Sequence, residues 1–556
     1  MSSGAVIVQS DKSLLLETAH PAAEQARAAI APFAELERAP EHIHTYRITN
    51  LGLWNARAAG FDAESIIHAL MEHSRFPVPH SLLVEIANTL DRYGQLTLHT
   101  SPIHGLILEA KNADILAQVM RSQRTEGMFG EQIDEVTVCV HPSARGSLKQ
   151  ALLRIGWPAE DYAGFIDGES HSIRLTAGEG STWQLRPYQQ QALSAFSTGG
   201  SGVIVLPCGA GKTIVGAAAM ASIERTTLIL VTNTVSARQW AAELLRRTSL
   251  SEAEIGEYSG SRKEIRPVTI ATYQVLTAKR KGVMPHLELM SARDWGLIIY
   301  DEVHLLPAPV FRITADLQAR RRLGLTATLV REDGRESEVF SLIGPKRFDL
   351  PWKQIEDQGW IAPAAMTEVR VDLPASDRAL YAQAQPADRH RLAASHAVKL
   401  PVVAALAQQH AGEPLLVIGQ FVEQLEEIAE LLGAPIITGK TAITARERLF
   451  NAFRRGEITR LVVSKVANFS VDLPEASVAI QVSGAFGSRQ EEAQRLGRLL
   501  RPKADGRGAQ FYTVVVRDTV DQDFAQNRQR FLAEQGYQYS IADAHEVLQQ
   551  VRPLGD

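Results

Sequence analysis

The sequence predicts an α/β protein with two tandem parallel-sheet domains preceded by small α+β units, and three observations carry that expectation. From Leu185 onward, short apolar runs alternate regularly with helical patterns, as strands buried on both faces of a parallel sheet do. One run, Gly202 to Val205, leads into Leu206-Pro207-Cys208-Gly209-Ala210-Gly211-Lys212-Thr213 and then into an Ala-rich helical segment. Another, Leu297 to Tyr300, ends on Asp301-Glu302-Val303-His304.

Taken in order, residues 1–95 show short strands at Ala5 to Val8 and Ser13 to Glu17. Helical patterns follow at Ala22 to Glu37, Leu51 to Ala59, Ala63 to His73 and Ser81 to Tyr93. The histidines of this stretch are too irregularly spaced for a metal site. Residues 96–178 read as a small α/β domain with strands near Gly105 to Leu108 and Val136 to Val140, and Gly178 to Thr182 reads as a linker. The first parallel domain, 179–362, has strands at Val203 to Leu206, Leu228 to Thr232, Thr269 to Thr272, Leu297 to Tyr300 and Leu323 to Thr326. The second, 363–556, has them at Leu415 to Ile418, Ile436 to Thr438, Leu461 to Ser464, Val478 to Val482 and Phe511 to Val516. Between these series, Leu373 to His396 reads as an amphipathic helix pair of mixed charge.

Composition narrows the class. With two cysteines, Cys139 and Cys208, no disulfide framework or zinc cluster is available, and no apolar window approaches membrane-spanning length. The expectation is a soluble, cytoplasmic protein without a membrane partner. Net charge is −5, but residues 1–180 hold 22 acidic and 14 basic residues, −8, which leaves +3 on the remainder. A grip on a polyanion therefore belongs to the second part. Because of the linker at Gly178 to Thr182 and the absence of a nucleotide motif upstream of it, removing residues 1–178 is expected to leave a folded nucleotide-hydrolysing core.

The two motifs define the chemistry. A loop between a strand and a helix N-terminus aims backbone N–H groups and the helix dipole at phosphates. Lys212 would reach the β and γ oxygens, and the Thr213 hydroxyl would hold Mg²⁺. Leu206 stands where the general pattern G-x-x-x-x-G-K-[ST] begins with glycine, so the match is incomplete. Asp301 and Glu302 lie where ligands sit in parallel sheets, with Asp301 as a metal ligand and Glu302 orienting and deprotonating the attacking water. Far along the chain, Gln494, Arg498 and Arg501 share one helical face at spacings of four and three. An ordinary basic helix face reads the same way, and what separates them is order: an arginine supplied across a domain cleft stabilises transition-state charge when the domains close. Thr232, Gln239, Thr272 and Ser464, near strand ends, are candidates for hydrogen bonds to a nucleic-acid backbone.

Read together, these runs resemble the superfamily 2 helicases, and within them the XPB (xeroderma pigmentosum group B) DNA repair helicases. Leu185-Arg186-Pro187-Tyr188-Gln189 resembles the adenine-reading segment, and Leu206 to Thr213 the XPB form of the phosphate loop. Asp301 to His304 is similar to motif II, Gly324 to Val330 to motif III, and Arg331-Glu332-Asp333 to an XPB hallmark. Ser464-Lys465-Val466 through Asp472-Leu473-Pro474 resembles motif V, with Ala467-Asn468 where Gly-Asp is usual, and Gln494 to Arg501 resembles motif VI. Residues 1–95 resemble the N-terminal domain of XPB proteins.

The resemblance implies two RecA-like domains, with residues 96–178 as a damage-recognition-like domain and about 373–396 as a thumb-like insertion. It implies an ATP- and Mg²⁺-dependent 3′→5′ DNA helicase or translocase that opens or remodels duplex DNA in repair. Arg186 and Gln189 would read the base and brace the loop, which runs from Leu206 through Pro207, Cys208, Gly209, Ala210 and Gly211. His304, Thr326, Thr328 and Asp472 would couple nucleotide state to DNA, and Arg331, Glu332 and Asp333 would meet the duplex junction. Forked or damaged DNA, a single-stranded tracking strand and a nuclease or other repair protein are the implied partners, with a nucleoid-associated location. Two readings stay open beside a helicase: a duplex translocase with little strand separation, and an ATP-switched scaffold.

Overall fold

Two small sheets precede the parallel ones. Val6–Val8 (β1), Ser13–Glu17 (β2), Ala34–Arg38 (β3) and Ile43–Ile48 (β4) form a four-stranded sheet in the order β1-β2-β4-β3. The helical pattern expected from Ala22 to Glu37 is corrected: the helix is Ala23–Ile30, and β3 follows. Pro32 has no N–H to continue the helix, and beyond it Ala34 and Leu36 face inward while Glu35 faces out, the two-residue period of a strand. Leu96–Ser101 (β5), Gly105–Ala110 (β6), Phe129–Gln132 (β7), Thr137–Val140 (β8) and Ala159–Asp161 (β9) form a second sheet, ordered β7-β8-β6-β5-β9.

The first large sheet is wholly parallel. Its strands are Ser201–Val205 (β10), Thr227–Val231 (β11), Ile255–Tyr258 (β12), Val268–Thr272 (β13), Leu297–Asp301 (β14), Arg321–Thr326 (β15) and Lys346–Asp349 (β16). Their order is β12-β13-β11-β14-β15-β10-β16. Central strands such as Leu228–Val231 and Leu297–Tyr300 are fully buried, which is why they read as unbroken apolar runs. The edge strands β12 and β16, polar and four residues long, carry no such signal. The second large sheet is also parallel, with strands Ala364–Val371 (β17), Leu415–Gly419 (β18), Ile436–Ile437 (β19), Arg460–Ser464 (β20), Val478–Gln481 (β21), Ala509–Val516 (β22) and Tyr539–Asp543 (β23). They run β19-β20-β18-β21-β22-β17-β23. Helices Ala375–Gln383 and Pro386–Ala394 occupy the segment expected to form a helix pair.

This computed structural model describes residues 4–39, 42–177, 183–207, 209–280, 282, 284–317, 320–327, 336–360, 362–464, 476–484, 508–537 and 539–550. The chain divides into two compact units, one of residues 1–37, 42–206 and 211–349 and the other of 38–41, 207–210 and 350–556, and both small sheets belong to the first except for Arg38 at the end of β3. Cys208, Thr328, Arg331, Glu332, Asp333, Asp472, Gln494, Arg498 and Arg501 lie outside the described residues, as does the linker at 178–182. Among the described residues no helix is long and apolar enough to cross a membrane.

The chain after β9 is a strap on the first parallel sheet. Glu169 N donates to Asp294 O at 2.8 Å, Thr226 N to Glu169 O at 2.9 Å, His171 N to Glu224 O at 3.0 Å and Thr176 N to Arg247 O at 2.8 Å. Arg293 grips Glu169 through two hydrogen bonds of 2.7 Å, and Ile173 is buried. Gly168 abuts Gly296 so closely that a Cβ there would lie 2.5 Å from the Gly296 Cα. Removing residues 1–178, expected to leave a folded core, therefore carries a stability cost. Net hydrogen bonds are worth about 1 kcal/mol each and a buried Ile about 2 kcal/mol, part of which offsets the ordering of the strap. Deleting residues 1–178 is expected to destabilise the remainder by on the order of 3 kcal/mol, lowering its urea midpoint by roughly 1 M. A midpoint matching that of a chain beginning at Asp167 would contradict this.

Candidate nucleotide-hydrolysis site

The carboxyl ends of β10, β14 and β15 converge. β15 lies between the strand that ends at the phosphate loop and the strand that ends on Asp301, pairing Val205 with Thr326 and Asp301 with Leu325. Leu206 N donates to Thr326 O at 3.0 Å, and Gly211 begins the helix Lys212–Ile223. Gly209 and Gly211 both have φ of +82°, a backbone state open to glycine. A Cβ at Gly211 would also lie 2.5 Å from Gln189 Nε2 and force that amide to shift. Gln189 is buried and accepts from Arg186 N through Oε1 at 3.0 Å, while Arg186 donates to the Tyr188 hydroxyl at 2.9 Å. The Arg186–Gln189 segment thus packs against the loop it is expected to brace.

The acidic pair is held by groups from three further elements. Asp301 Oδ2 accepts from Trp240 Nε1 at 2.9 Å, and the Tyr273 hydroxyl donates to Asp301 O at 3.0 Å. Trp240, on helix Thr234–Arg247, reaches Asp301 across helix Lys212–Ile223 because Gly216 leaves room: a Cβ there would lie 2.5 Å from the indole. Glu302 sits in the left-handed region, φ +49° and ψ +54°, an uncommon state for a residue with a Cβ. Its Oε1 is 3.5 Å from Lys212 Nζ, and its Oε2 is 3.5 Å from His304 Nδ1. His304 Nδ1 and Thr326 Oγ1, both buried, share a hydrogen bond of 2.7 Å.

Electrostatics separate the two carboxyls. Burial and the neighbouring Glu302 charge push Asp301 up to about 6, against the pull of Trp240 and Lys212. Burial acts the same way on Glu302, but Lys212 and His304 outweigh it and hold that carboxyl below its usual range. Glu302 Oε2 is buried without a hydrogen-bond partner among the described residues, with His304 Nδ1 beyond hydrogen-bond geometry at 3.5 Å. A carboxyl lifted by burial and a like charge and a half-buried Thr213 at the second position of the loop helix fit a divalent cation, and the vacant Glu302 oxygen fits a water donor.

Of the candidate nucleic-acid contacts, Gln239 is exposed and Thr232 is half-buried, with its hydroxyl accepting from Asn233 Nδ2 at 3.2 Å. Thr272 is corrected: it is buried and its Oγ1 accepts from Val275 N at 3.3 Å, so the hydroxyl caps helix Tyr273–Thr277 instead of facing outward. Ser464 is likewise buried at the end of β20. Sequence reasoning missed Trp240 and Tyr273. The available signal was position, since both follow the carboxyl ends of strands on one side of β14, its neighbour β11 for Trp240 and the next strand, β13, for Tyr273.

A phosphate loop, an acidic pair at the neighbouring strand ends and two tandem parallel sheets define a superfamily 2 helicase with two RecA-like domains. The chain belongs to the XPB helicase family. It is 67% identical over 547 residues to the DNA 3′-5′ helicase XPB of Kineococcus radiotolerans, spanning 98% of each chain. It is 64% identical over 548 residues to that of Mycobacterium tuberculosis, spanning 99% of each. The transcription and DNA repair factor IIH helicase/translocase subunit XPB/SSL2 of Saccharomyces cerevisiae is 31% identical over 604 residues, covering 96% of this chain and 71% of that one. The ERCC3/RAD25/XPB C-terminal helicase family matches residues 355–554, the type III restriction enzyme res subunit family 182–331, and a helicase conserved C-terminal domain family 6–134.

Proposed function

We propose that the chain is an ATP-driven DNA motor that moves 3′→5′ and opens or remodels duplex DNA during repair. The observation that carries this reading is Glu302, half-buried at a strand end with one oxygen 3.5 Å from Lys212 and the other buried without a hydrogen-bond partner among the described residues. Lys212 and the loop N–H groups bind and orient the phosphates. Glu302 accepts a proton from the attacking water at Oε2, its charged form kept available by Lys212. Asp301 and Thr213 would hold Mg²⁺, which supplies charge neutralisation at the phosphates. Movement of Glu302 is transmitted through His304 to Thr326, whose backbone also accepts from Leu206 at the loop. Arg498 and Arg501 complete the site on closure, and DNA contacts come from the strand-end loops, Gln239 among them.

Trp240 is a positioning residue in this scheme. A hydrogen bond to a charged acceptor is worth about 1.5–3 kcal/mol, so Trp240→Phe is expected to weaken apparent Mg²⁺ affinity in ATP hydrolysis by roughly tenfold or more. KM for ATP at saturating Mg²⁺ should hold. A Mg²⁺ titration identical to wild type would remove Trp240 from this role.

The relatives named above bear on the substrate, as DNA helicases in bacteria and as a helicase/translocase subunit in yeast. A repair protein or nuclease is the proposed partner, and the nucleoid the proposed location. Steady-state hydrolysis with and without DNA tests the motor: strong stimulation by DNA supports it, and one turnover per partner exchange supports a switched scaffold. Strand-displacement beside triplex-displacement assays separates a helicase from a duplex translocase.

A further inference from the structure

At the amino ends of the first parallel strands, opposite the phosphate loop, lies a cavity of about 290 Å³ where the small N-terminal units meet the sheet. Arg57, Tyr93, Lys149, Tyr162, Arg322 and Arg347 are among its lining side chains. Its two carboxylates are already engaged. Glu160 accepts from the Tyr162 hydroxyl at 2.6 Å, and Asp161 pairs with Arg145 at 2.6 Å and Lys149 at 3.0 Å. Four cations and two carboxylates leave the lining at +2.

The uncommitted hydrogen-bonding capacity is almost all of one kind. Arg57 is exposed and Arg347 donates only to main-chain oxygens, Ser201 O at 3.2 Å and Ala58 O at 3.5 Å, with no carboxylate in ion-pair reach of either among the described residues. The half-buried Tyr93 hydroxyl makes no hydrogen bond among the described residues, and burial and Glu160 push it up to about 12, against Arg347 and Arg57, so it stays a donor. Arginines beside tyrosine rings provide both a phosphate grip and a stacking surface. The volume is near the roughly 300 Å³ lower bound of small-molecule sites.

We propose that this cavity binds a small aromatic phosphate of mononucleotide size, with Arg57, Arg347 and the Tyr93 hydroxyl on its phosphate and the tyrosine rings against its base. The site is separate from the hydrolysis site and does not depend on it. Arg57 comes from helix Asn50–Ala58, Tyr93 from the end of helix His80–Asp91, Tyr162 from the chain after β9 and Arg347 from β16. One ligand would therefore tie both small units to the first parallel sheet and stabilise that union by mass action.

Isothermal titration of the full-length chain with AMP tests this, using Lys212→Ala so that the phosphate loop does not compete. One AMP per chain is expected, with adenosine and inorganic phosphate each binding at least roughly tenfold more weakly. Arg57→Glu should lose that binding and Tyr93→Phe should weaken it several-fold, both with ligand-free thermal midpoints and DNA-independent hydrolysis unchanged in the Lys212-intact chain. A dinucleotide that binds only when 5′-phosphorylated, with the same Arg57 dependence, would support the site with a strand end as its source. No saturation by either ligand into the millimolar range, or AMP binding indifferent to Arg57 and Tyr93, would overturn it.

Discussion

Glu302→Gln is expected to abolish ATP turnover, by about 10³ or more, while leaving ATP and DNA binding nearly intact. The amide keeps the shape of a half-buried side chain between Lys212 and His304, and it leaves Asp301 and its Trp240 hydrogen bond in place. What it removes is the proton acceptor. It also removes the charge that lifts Asp301, so affinity for Mg²⁺-bound nucleotide should hold or rise modestly. Equilibrium binding of a fluorescent ATP analogue beside single-turnover hydrolysis checks both halves. Near-wild-type hydrolysis would defeat the assignment, and lost nucleotide binding would make Glu302 a ground-state ligand.

Arg498→Ala and Arg501→Ala should each lower hydrolysis by about 10³ if they stabilise transition-state charge from the second domain. Their spacing from Gln494, four and then three residues, is that of one helical face, which is the basis of this expectation. Affinity for ATP without DNA should change little, because such an arginine acts in the closed form. Poor ATP binding with normal hydrolysis of bound ATP would reassign them.

What the sequence made legible follows burial. Val203–Val205, Leu297–Tyr300 and Leu415–Ile418 are buried on both faces, so their apolar runs stand out, and the two chemical motifs follow the first two of them. Strands β3, β4, β12 and β16 were not legible because they are short or half-exposed, and their polar faces blur the pattern. β17 and β23 sit beside each other at the margin of the second sheet, with the mixed sequences that position permits. Within the site, the loop and acidic pair were legible from residue type, whereas Trp240 at Asp301 depends on Gly216 admitting the indole, a contact between elements far apart in sequence. Thr272 misled for a related reason: a threonine at a strand end serves equally as a helix cap, and only the following helix decides.

The central claim, an ATP-driven motor moving 3′→5′ on DNA, is tested most directly by hydrolysis and unwinding on forked duplexes with a single tail of either polarity. The predicted result is DNA-stimulated hydrolysis with strand displacement from the 3′-tailed substrate, both lost in Glu302→Gln. Displacement confined to the 5′-tailed substrate, or hydrolysis indifferent to DNA, would contradict it.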